Sequence, residues 1–289
     1  MIVDIIVSGL ISGSTYALLA IGFSLIFGVA RIVNLAHTAF YMFSSYLIFY
    51  INSQLGVPPV PAMLIALVLA VLVGTISFRV LIEPIREHEA VVLIATIAIA
   101  IILQEVMLLA FTGEYRSVSP LMKGYLTVLG YKMTYQQLLT ICIALLVLWA
   151  TWWLLMKTRL GLAIRATAQD REVAGLMGMS ESKVAMITIA ISIGLAAFTG
   201  AVVVPLTVIN PFMWMNPLIM MMAVVVLGGM GSIKGSFIGA YILGFTEALV
   251  VFGLPMGAFL KEPVALCIMI LVLVLRPEGL FGIAFEEER

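Results

Sequence analysis

The sequence predicts an all-α polytopic membrane protein that forms a single transmembrane domain over residues 1–289. The first observation is composition: 63% of the residues are hydrophobic and only 10% are charged, whereas charged residues make up about 25% of a typical soluble domain. The second is that apolar runs near the ~20 residues needed to cross a bilayer recur along the whole chain. Too few charges remain to cover a water-soluble globule. A soluble enzyme and a disordered chain are therefore excluded.

Nine apolar runs are candidates for transmembrane helices, and eight to ten is the acceptable range. The second, seventh and ninth runs are short, which is typical of broken or re-entrant helices. In chain order the runs cover residues 5–29, 35–51, 60–82, 91–111, 135–156, 184–209, 217–229, 236–253 and 262–275.

The basic residues predict how these runs are oriented. The loop at 157–183 carries five lysines and arginines, and the positive-inside rule places such a loop in the cytoplasm. Alternation from this loop puts the N-terminus outside and the C-terminus inside, with eleven of the 15 basic residues on the inner side. The formal net charge is zero, so nothing in the composition indicates nucleic-acid binding.

The same cytoplasmic loop is predicted to contain two short helices. Arg165 belongs to the first. Asp170 is the predicted N-cap of the second, with Glu172 in its first turn, Ala174 on a short apolar face, and Gly178 just after its end. Such a loop suits either docking to a soluble partner or lying on the membrane surface as an amphipathic helix, and the loop alone leaves both interpretations open.

Polar residues inside the apolar runs are candidates for a substrate pathway or a gate. Asn34 and His37 stand three residues apart at the junction of the first two runs, hence on one face if that segment is helical. Glu105 and Glu247 lie inside the fourth and eighth runs, where an unpaired carboxylate is costly. We expect these carboxylates to face the bundle interior, water or a partner, because no basic residue is placed in mid-span to pair with them. Neutral, buried structural carboxyls are the alternative.

Residues 210–237 carry the signals of an interrupted helix. Asn210 and Asn216 each precede a proline, and Gly229 and Gly231 belong to a glycine-rich stretch. Proline limits helix continuation and glycine permits a break. Interrupted apolar segments are a usual sequence indication of a transport site.

The sequence predicts no nucleotide, haem or metal site of its own. The glycine-rich stretch fails the phosphate-loop pattern, because Ile233 stands where glycine is required before Lys234. The two cysteines, Cys142 and Cys267, both lie in apolar runs and indicate no metal cluster.

Four segments, in the same order along the chain, together resemble the permease subunits of bacterial branched-chain amino acid ABC importers, of the LivH type. They are GLISGSTYALLAIGFSLIFGVARIVNLAHTAFYM near the start, RATAQDREVAGLMGMSESKV in the cytoplasmic loop, VLGGMGSIKGSFIGAYILGFTEAL near the end, and the terminal LVLRPEGLFG. Thr38 and Ser44 depart from the family, which usually has glycine there, and they leave the substrate open.

The resemblance implies a multi-pass subunit of an importer in the bacterial inner membrane. Its partners would be a second permease, two ATP-binding subunits and a periplasmic substrate-binding protein. This chain would hold no cofactor and no ATPase site, since ATP and magnesium belong to the ATP-binding subunits. Residues 165–178 would transmit ATPase closure. The substrate would be a branched-chain or other hydrophobic amino acid, although related permeases carry urea, short amides, other amino acids or sugars.

Three other classes of function remain as alternatives. A secondary transporter would use Glu105 or Glu247 as a proton or ion site. An intramembrane enzyme would need a nucleophile and a base that converge, and His37 has no evident serine or cysteine partner. A purely structural membrane protein would leave the patterned cytoplasmic loop unexplained.

Overall fold

The computed structural model describes residues 1–128 and 131–282. These residues form eleven α-helices and one pair of short strands. The helices are α1 (Ile2–Ala30), α2 (His37–Phe49), α3 (Pro59–Ser77), α4 (Glu89–Phe111), α5 (Tyr135–Lys157), α6 (Arg159–Gln169), α7 (Arg171–Leu176), α8 (Glu181–Val203), α9 (Met215–Gly228), α10 (Ile233–Gly253) and α11 (Gly257–Leu275), and the strands are β1 (Tyr125–Val128) and β2 (Tyr131–Thr134).

Each of the nine predicted apolar runs corresponds to one helix. Within the described part of the chain, seven helices are long and apolar enough to cross a membrane, while α2 and α9 are shorter. The prediction of a polytopic helical membrane protein is confirmed. The ninth run is longer than expected, because α11 starts at Gly257 and includes Pro263 within its second turn.

Helices α1 and α8 form the centre of the bundle, and 72% of the apolar window of each is buried. Glycines on α1 allow α10 to approach closely: a Cβ on Gly9 would lie 2.5 Å from the Phe245 ring, and one on Gly13 would lie 2.7 Å from the Tyr241 ring. Close backbone approach stabilises helix pairs in lipid, where the hydrophobic effect provides no driving force for helix association.

Four helices lie at the periphery of this centre. The buried share of the apolar window is 28% in α3, 33% in α4 and α5, and 6% in α11. Their outward faces are therefore free for lipid or for another subunit. A helix at the edge of a bundle buries only one of its faces, as these four helices do.

The segment between α4 and α5 contains a structure that the sequence analysis did not predict. Strands β1 and β2 pair antiparallel from Tyr125↔Thr134 to Val128↔Tyr131. Thr134 then caps α5 by accepting a hydrogen bond from the Gln137 backbone N–H at 3.2 Å. Earlier in the segment, Arg116 and Ile209 exchange backbone hydrogen bonds of 3.0 and 2.8 Å, which tie this segment to the stretch before α9.

The stretch after α11 folds back onto the end of α9. The backbone N–H of Leu280 donates to the carbonyl of Leu227 at 2.9 Å, and that of Phe281 donates to the carbonyl of Gly228 at 3.0 Å. The last carbonyls of a helix have no partner within the helix. The two glycine-containing motifs near the end of the sequence are thus partners in space.

Candidate functional site

The junction between α1 and α2 is a turn built by Asn34. Arg31 ends α1 in the left-handed conformation, with φ 53°. The Asn34 side-chain oxygen accepts a hydrogen bond from the Ala36 backbone N–H at 3.1 Å. The Asn34 backbone carbonyl accepts one from the His37 backbone N–H at 3.3 Å. Asn34 is buried and lines a small cleft together with residues of α3, α4 and α8. Its polar groups therefore set the start of α2.

His37 is completely buried at the start of α2. Among residues 1–128 and 131–282, neither ring nitrogen has a hydrogen-bond partner of good geometry. The ring packs against α1, where a Cβ on Gly22 would lie 2.9 Å from its Cε1 and Nε2 atoms. Burying a polar group without a partner costs free energy, so an exception of this kind in a packed core makes His37 a candidate for a functional role.

Glu247 has partners that the sequence analysis did not foresee. Its Oε2 accepts from the Tyr16 hydroxyl at 2.6 Å and its Oε1 accepts from Lys261 Nζ at 2.8 Å. We expected no basic partner, because Lys261 falls between the eighth and ninth apolar runs of the sequence. That expectation was wrong, since α11 begins earlier and carries Lys261 in its second turn. Both oxygens of Glu247 are engaged in joining α1, α10 and α11.

Glu105 lies on the exposed face of α4. Its Oε1 accepts from the Gln104 side-chain amide at 3.2 Å. Gln104 is buried, and its own side-chain oxygen accepts from the Trp214 indole N–H at 2.9 Å. Of the three surroundings expected for this carboxylate, the bundle interior is excluded for the isolated chain, and water or a partner remain.

The interrupted segment before α10 is confirmed as a break on both sides of a 14-residue helix. Asn210 shapes the turn before α9, accepting from the Phe212 backbone N–H at 3.0 Å. Asn216 is exposed in the first turn of α9. After the helix, Gly229 and Gly231 have φ of 98° and 81°, a region where glycine carries no steric penalty.

His37 and Glu247 lie at different levels of the bundle. His37 packs against Gly22, and Glu247 is bound by Tyr16. Six residues of α1 separate these contacts, which is about 9 Å along a helix axis. The structure therefore brings Asn34 and His37 together, but it does not bring Glu247 to them.

The loop at 157–183 has the two short helices that its sequence predicts. Asp170 caps α7 by accepting from the Val173 backbone N–H at 3.0 Å, and Gly178 follows the helix with φ 83°. Ala174 is buried against the rest of the fold. The tip points the other way, and Leu176 and Met177 are 87% and 77% exposed. An exposed apolar tip on a polar loop is typical of a contact surface, either for a soluble partner or for the membrane surface.

Glu181, at the start of α8, holds this loop against the turn between α3 and α4. Its Oε1 lies 3.4 Å from the Arg171 guanidinium and 3.6 Å from that of Arg86. Beside it, the Ser182 hydroxyl donates to Glu83 at 2.8 Å. No local sequence pattern predicts this cluster, because its members are far apart in the chain.

Two arginines of the loop are partly withdrawn from water. Burial lowers the pKa of the Arg171 guanidinium from its ordinary value, and the Glu181 carboxylate opposes that shift. The group still carries its proton at neutral pH, because the ordinary value lies far above 7. Arg165, on α6, is half-buried and its Nε has no hydrogen-bond partner among the described residues. Glu172 is exposed in the first turn of α7.

Within the described ranges, no group of three or more histidine, cysteine, aspartate or glutamate side chains is placed to hold a metal ion.

Comparison with known proteins identifies the family of this chain. The family described as branched-chain amino acid transport system, permease component, matches residues 5–274. The high-affinity branched-chain amino acid transport system permease protein BraD of Pseudomonas aeruginosa is 32% identical, over 96% of this chain and 94% of that protein. The permease protein LivH of Escherichia coli K12 is also 32% identical, over 95% and 94% of the two chains.

More distant similarities extend over the same length. The probable branched-chain amino acid transport permease protein LivH of Methanocaldococcus jannaschii is 26% identical over 98% of this chain and 93% of that protein. A chain of the solved structure of PsaBC from Streptococcus pneumoniae, in complex with Fab, aligns with TM-score 0.51 and 14% identity, covering 96% of this chain and 97% of that chain. At that identity, the likeness concerns the fold alone. With a family match over nearly its whole length, this multi-pass membrane protein belongs to the permease components of branched-chain amino acid transport systems.

Proposed function

We propose that the chain is the permease subunit of an ABC importer for branched-chain or other hydrophobic amino acids in a bacterial inner membrane. The observation that carries this proposal is 32% identity to two permeases named for high-affinity branched-chain amino acid transport, over about the whole of both chains. A second permease, two ATP-binding subunits and a periplasmic binding protein complete the importer. ATP and magnesium act in the ATP-binding subunits, and this chain hydrolyses nothing.

In this proposal the chain crosses the membrane nine times, with its N-terminus outside. Helices α2 and α9 complete their crossings with the turns that flank them. The unequal distribution of basic residues supports the orientation. Exposed Trp149, Trp152 and Trp153 near the end of α5 add support, because tryptophan favours the membrane–water interface.

Helix α7 is the docking element for an ATP-binding subunit. Its tip offers Val173, Leu176 and Met177 to a soluble partner, with exposed fractions of 53%, 87% and 77%. The helix is too short to be stable alone, and its caps and the Arg171–Glu181 ion pair keep it in place. A movement of this tip, caused by the ATP-binding subunit, would be transmitted through Glu181 to α8 and to the α3–α4 turn.

The pathway or inner gate lies near Asn34 and His37, beside the interrupted helix α9. His37 has unused hydrogen-bonding groups in the core, which a substrate or water can engage when the helices separate. Gly229 and Gly231 let the end of α9 move relative to α10. Asn210 shapes the turn at the opposite end of α9, next to the Arg116–Ile209 pairing, and Asn216 is exposed in the first turn of the helix.

The ion-driven alternative finds less support in the same contacts. A proton or ion site needs a carboxylate that can exchange its partners. Glu247 is instead held by a tyrosine and a lysine. This leaves Glu105 as the one carboxylate of that pair on which such a mechanism could rest.

The substitution Leu176→Asp tests the docking role of α7. We expect the variant to fold, because the side chain is exposed, and to lose its ATP-binding subunits during purification from the native membrane. Gly175→Ala is the matched control, since a Cβ there meets nothing within 4 Å. If Leu176→Asp retains these subunits in the wild-type ratio and couples ATP hydrolysis to uptake normally, the docking proposal is wrong.

A further inference from the structure

Helix α4 has one buried face and one exposed face. Val92, Thr96, Ala100, Gln104 and Met107 share the buried face, which packs on α2 and on the turn after α3. Between Ala90 and Ala110 the exposed face is made of isoleucine, valine, leucine and alanine side chains, except for Glu105; the other exposed carboxylate, Glu89, is the first residue of the helix. A single carboxylate on an otherwise apolar outward face needs a physical reason.

The neighbours of Glu105 within its own chain do not satisfy it. Gln104 donates to Oε1 at 3.2 Å, and the Gln104 side chain is itself fixed by Trp214. Among the described residues no donor reaches Oε2. Six residues, about 9 Å of helix, separate Glu105 from the end of α4 at Phe111. At that depth the surroundings are hydrocarbon, which offers no hydrogen-bond donor.

We propose that the exposed face of α4 around Glu105 is buried against a second, distinct permease subunit, which supplies a hydrogen-bond donor to the Glu105 carboxylate. This inference rests on the proposed function and adds to it the contact surface and the chemistry of the partner. A basic or hydroxyl-bearing side chain on the facing helix fits. In a symmetric pair of identical chains, elements nearest the twofold axis meet their own copies. An α4–α4 contact of that kind would bring two Glu105 carboxylates together, so a different chain fits the charge better.

The contact would also connect the partner to the interrupted helix of this chain. Glu105 is bound to Gln104, and Gln104 is bound to Trp214 immediately before α9. A shift of the second permease against α4 would therefore move Gln104 and, through Trp214, the start of α9.

Photocrosslinking in the intact complex tests the proposed surface. A photoreactive amino acid replaces Ile102, which is 58% exposed on the same face as Glu105. The matched control replaces Leu146, which is 63% exposed on α5, a helix whose outward tryptophans are typical of a lipid-facing surface. Irradiation of native membranes should join position 102, and not position 146, to the second permease.

The outcomes separate the surface from the function. If the second permease co-purifies but position 102 forms no crosslink to it, or crosslinks to another copy of this chain, the inference is wrong while the proposed function stands. If only further copies of this chain accompany the ATP-binding subunits, the inference is wrong and the importer function stands. If neither another permease nor ATP-binding subunits co-purify, both are wrong.

Two substitutions test the role of the carboxylate itself. Glu105→Gln keeps a hydrogen-bonding group and should retain most of the second permease on purification. Glu105→Leu removes it and should reduce the recovered partner at least about tenfold, the size of one lost hydrogen bond to a charged group. Glu89→Leu, at the exposed start of α4, is the control. Equal recovery with leucine and glutamate at position 105 would overturn the role assigned to the carboxylate, and the crosslinking result does not depend on either variant.

Discussion

Glu247 lies within a transmembrane helix and is stabilised there by two donors from other helices. Tyr16 on α1 and Lys261 on α11 each contact a different oxygen of its carboxylate. The side chain of Lys261 is 31% exposed and that of Glu247 is 10% exposed. Removal of one partner from such a pair leaves the other charge without compensation, which is worse than removing both.

Lys261→Met should therefore destabilise the protein more than the double variant Glu247→Gln with Lys261→Met. The single substitution loses a charged hydrogen bond, about 1.5–3 kcal/mol, and should lower the Tm of the detergent-solubilised protein by roughly 3–6 °C. The double variant should recover part of that loss. A thermal unfolding series on the wild type and the variants measures both. Additive effects of the two substitutions would show that the pair is not coupled.

Gly22 and His37 form a second close pair at this scale. Alanine at position 22 would place its Cβ within 2.9 Å of the His37 ring, and overpacking of this kind costs about 1–3 kcal/mol. Gly22→Ala should lower both the Tm and substrate uptake. Adding His37→Ala removes the contact with the ring but not the one with the Ser192 carbonyl oxygen at 3.2 Å, so it should restore part of the Tm but not the uptake, if His37 serves the pathway. Full uptake by the double variant would remove His37 from that role.

At the scale of the element, the turn after α11 makes a contact with α9 that its sequence motif does not predict. Gly279 has φ 80°, and a Cβ on it would lie 2.6 Å from the Gly229 backbone nitrogen. The turn supplies N–H donors to the last carbonyls of α9. This end of α9 is therefore held by a segment more than 40 residues further along the chain.

Gly279→Ala should release this turn from α9. Both the left-handed conformation and the lack of space oppose a side chain at that position. We expect a lower Tm and faster proteolysis after α11. Gly253→Ala is the matched control, because a Cβ there meets nothing within 4 Å. Identical stability and proteolysis of the two variants would contradict the role given to the turn.

Local patterns predicted the elements well, and contacts between distant elements poorly. The apolar runs predicted the helices because length and hydropathy are properties of one segment. Asp170 and Gly178 predicted the ends of α7 because capping is local. The ion pair of Glu247 and the Glu181 cluster join residues distant in sequence. The outward direction of Glu105 was hidden because α4 is apolar on both faces, so no amphipathic pattern marked its exposed side.

At the scale of the whole molecule, the proposed topology places the segment between α4 and α5 and the segment between α5 and α8 on opposite sides of the membrane. The segment after α4 carries the β1–β2 hairpin, and the segment after α5 carries α6 and α7. The basic residues favour the second segment as the cytoplasmic one. Function depends on this assignment, because only a cytoplasmic α7 can meet an ATP-binding subunit.

Labelling of single cysteines with a membrane-impermeant maleimide tests the topology. In a background with Cys142 and Cys267 replaced by serine, Tyr115→Cys and Leu176→Cys both place a thiol at exposed positions, 77% and 87% exposed in the wild-type residues. The thiol of Tyr115→Cys should react from the periplasmic side, and that of Leu176→Cys only after the inner membrane is opened. Reaction of both from the same side would contradict an α5 that crosses between them.

The most direct test of the central claim is the energy source of uptake by the purified complex. The chain, co-purified with its companion subunits, is reconstituted into vesicles and supplied with binding protein and radiolabelled leucine. The account predicts uptake that requires ATP and persists when an ionophore collapses the ion gradients. Uptake that follows an ion gradient and proceeds without ATP would contradict it.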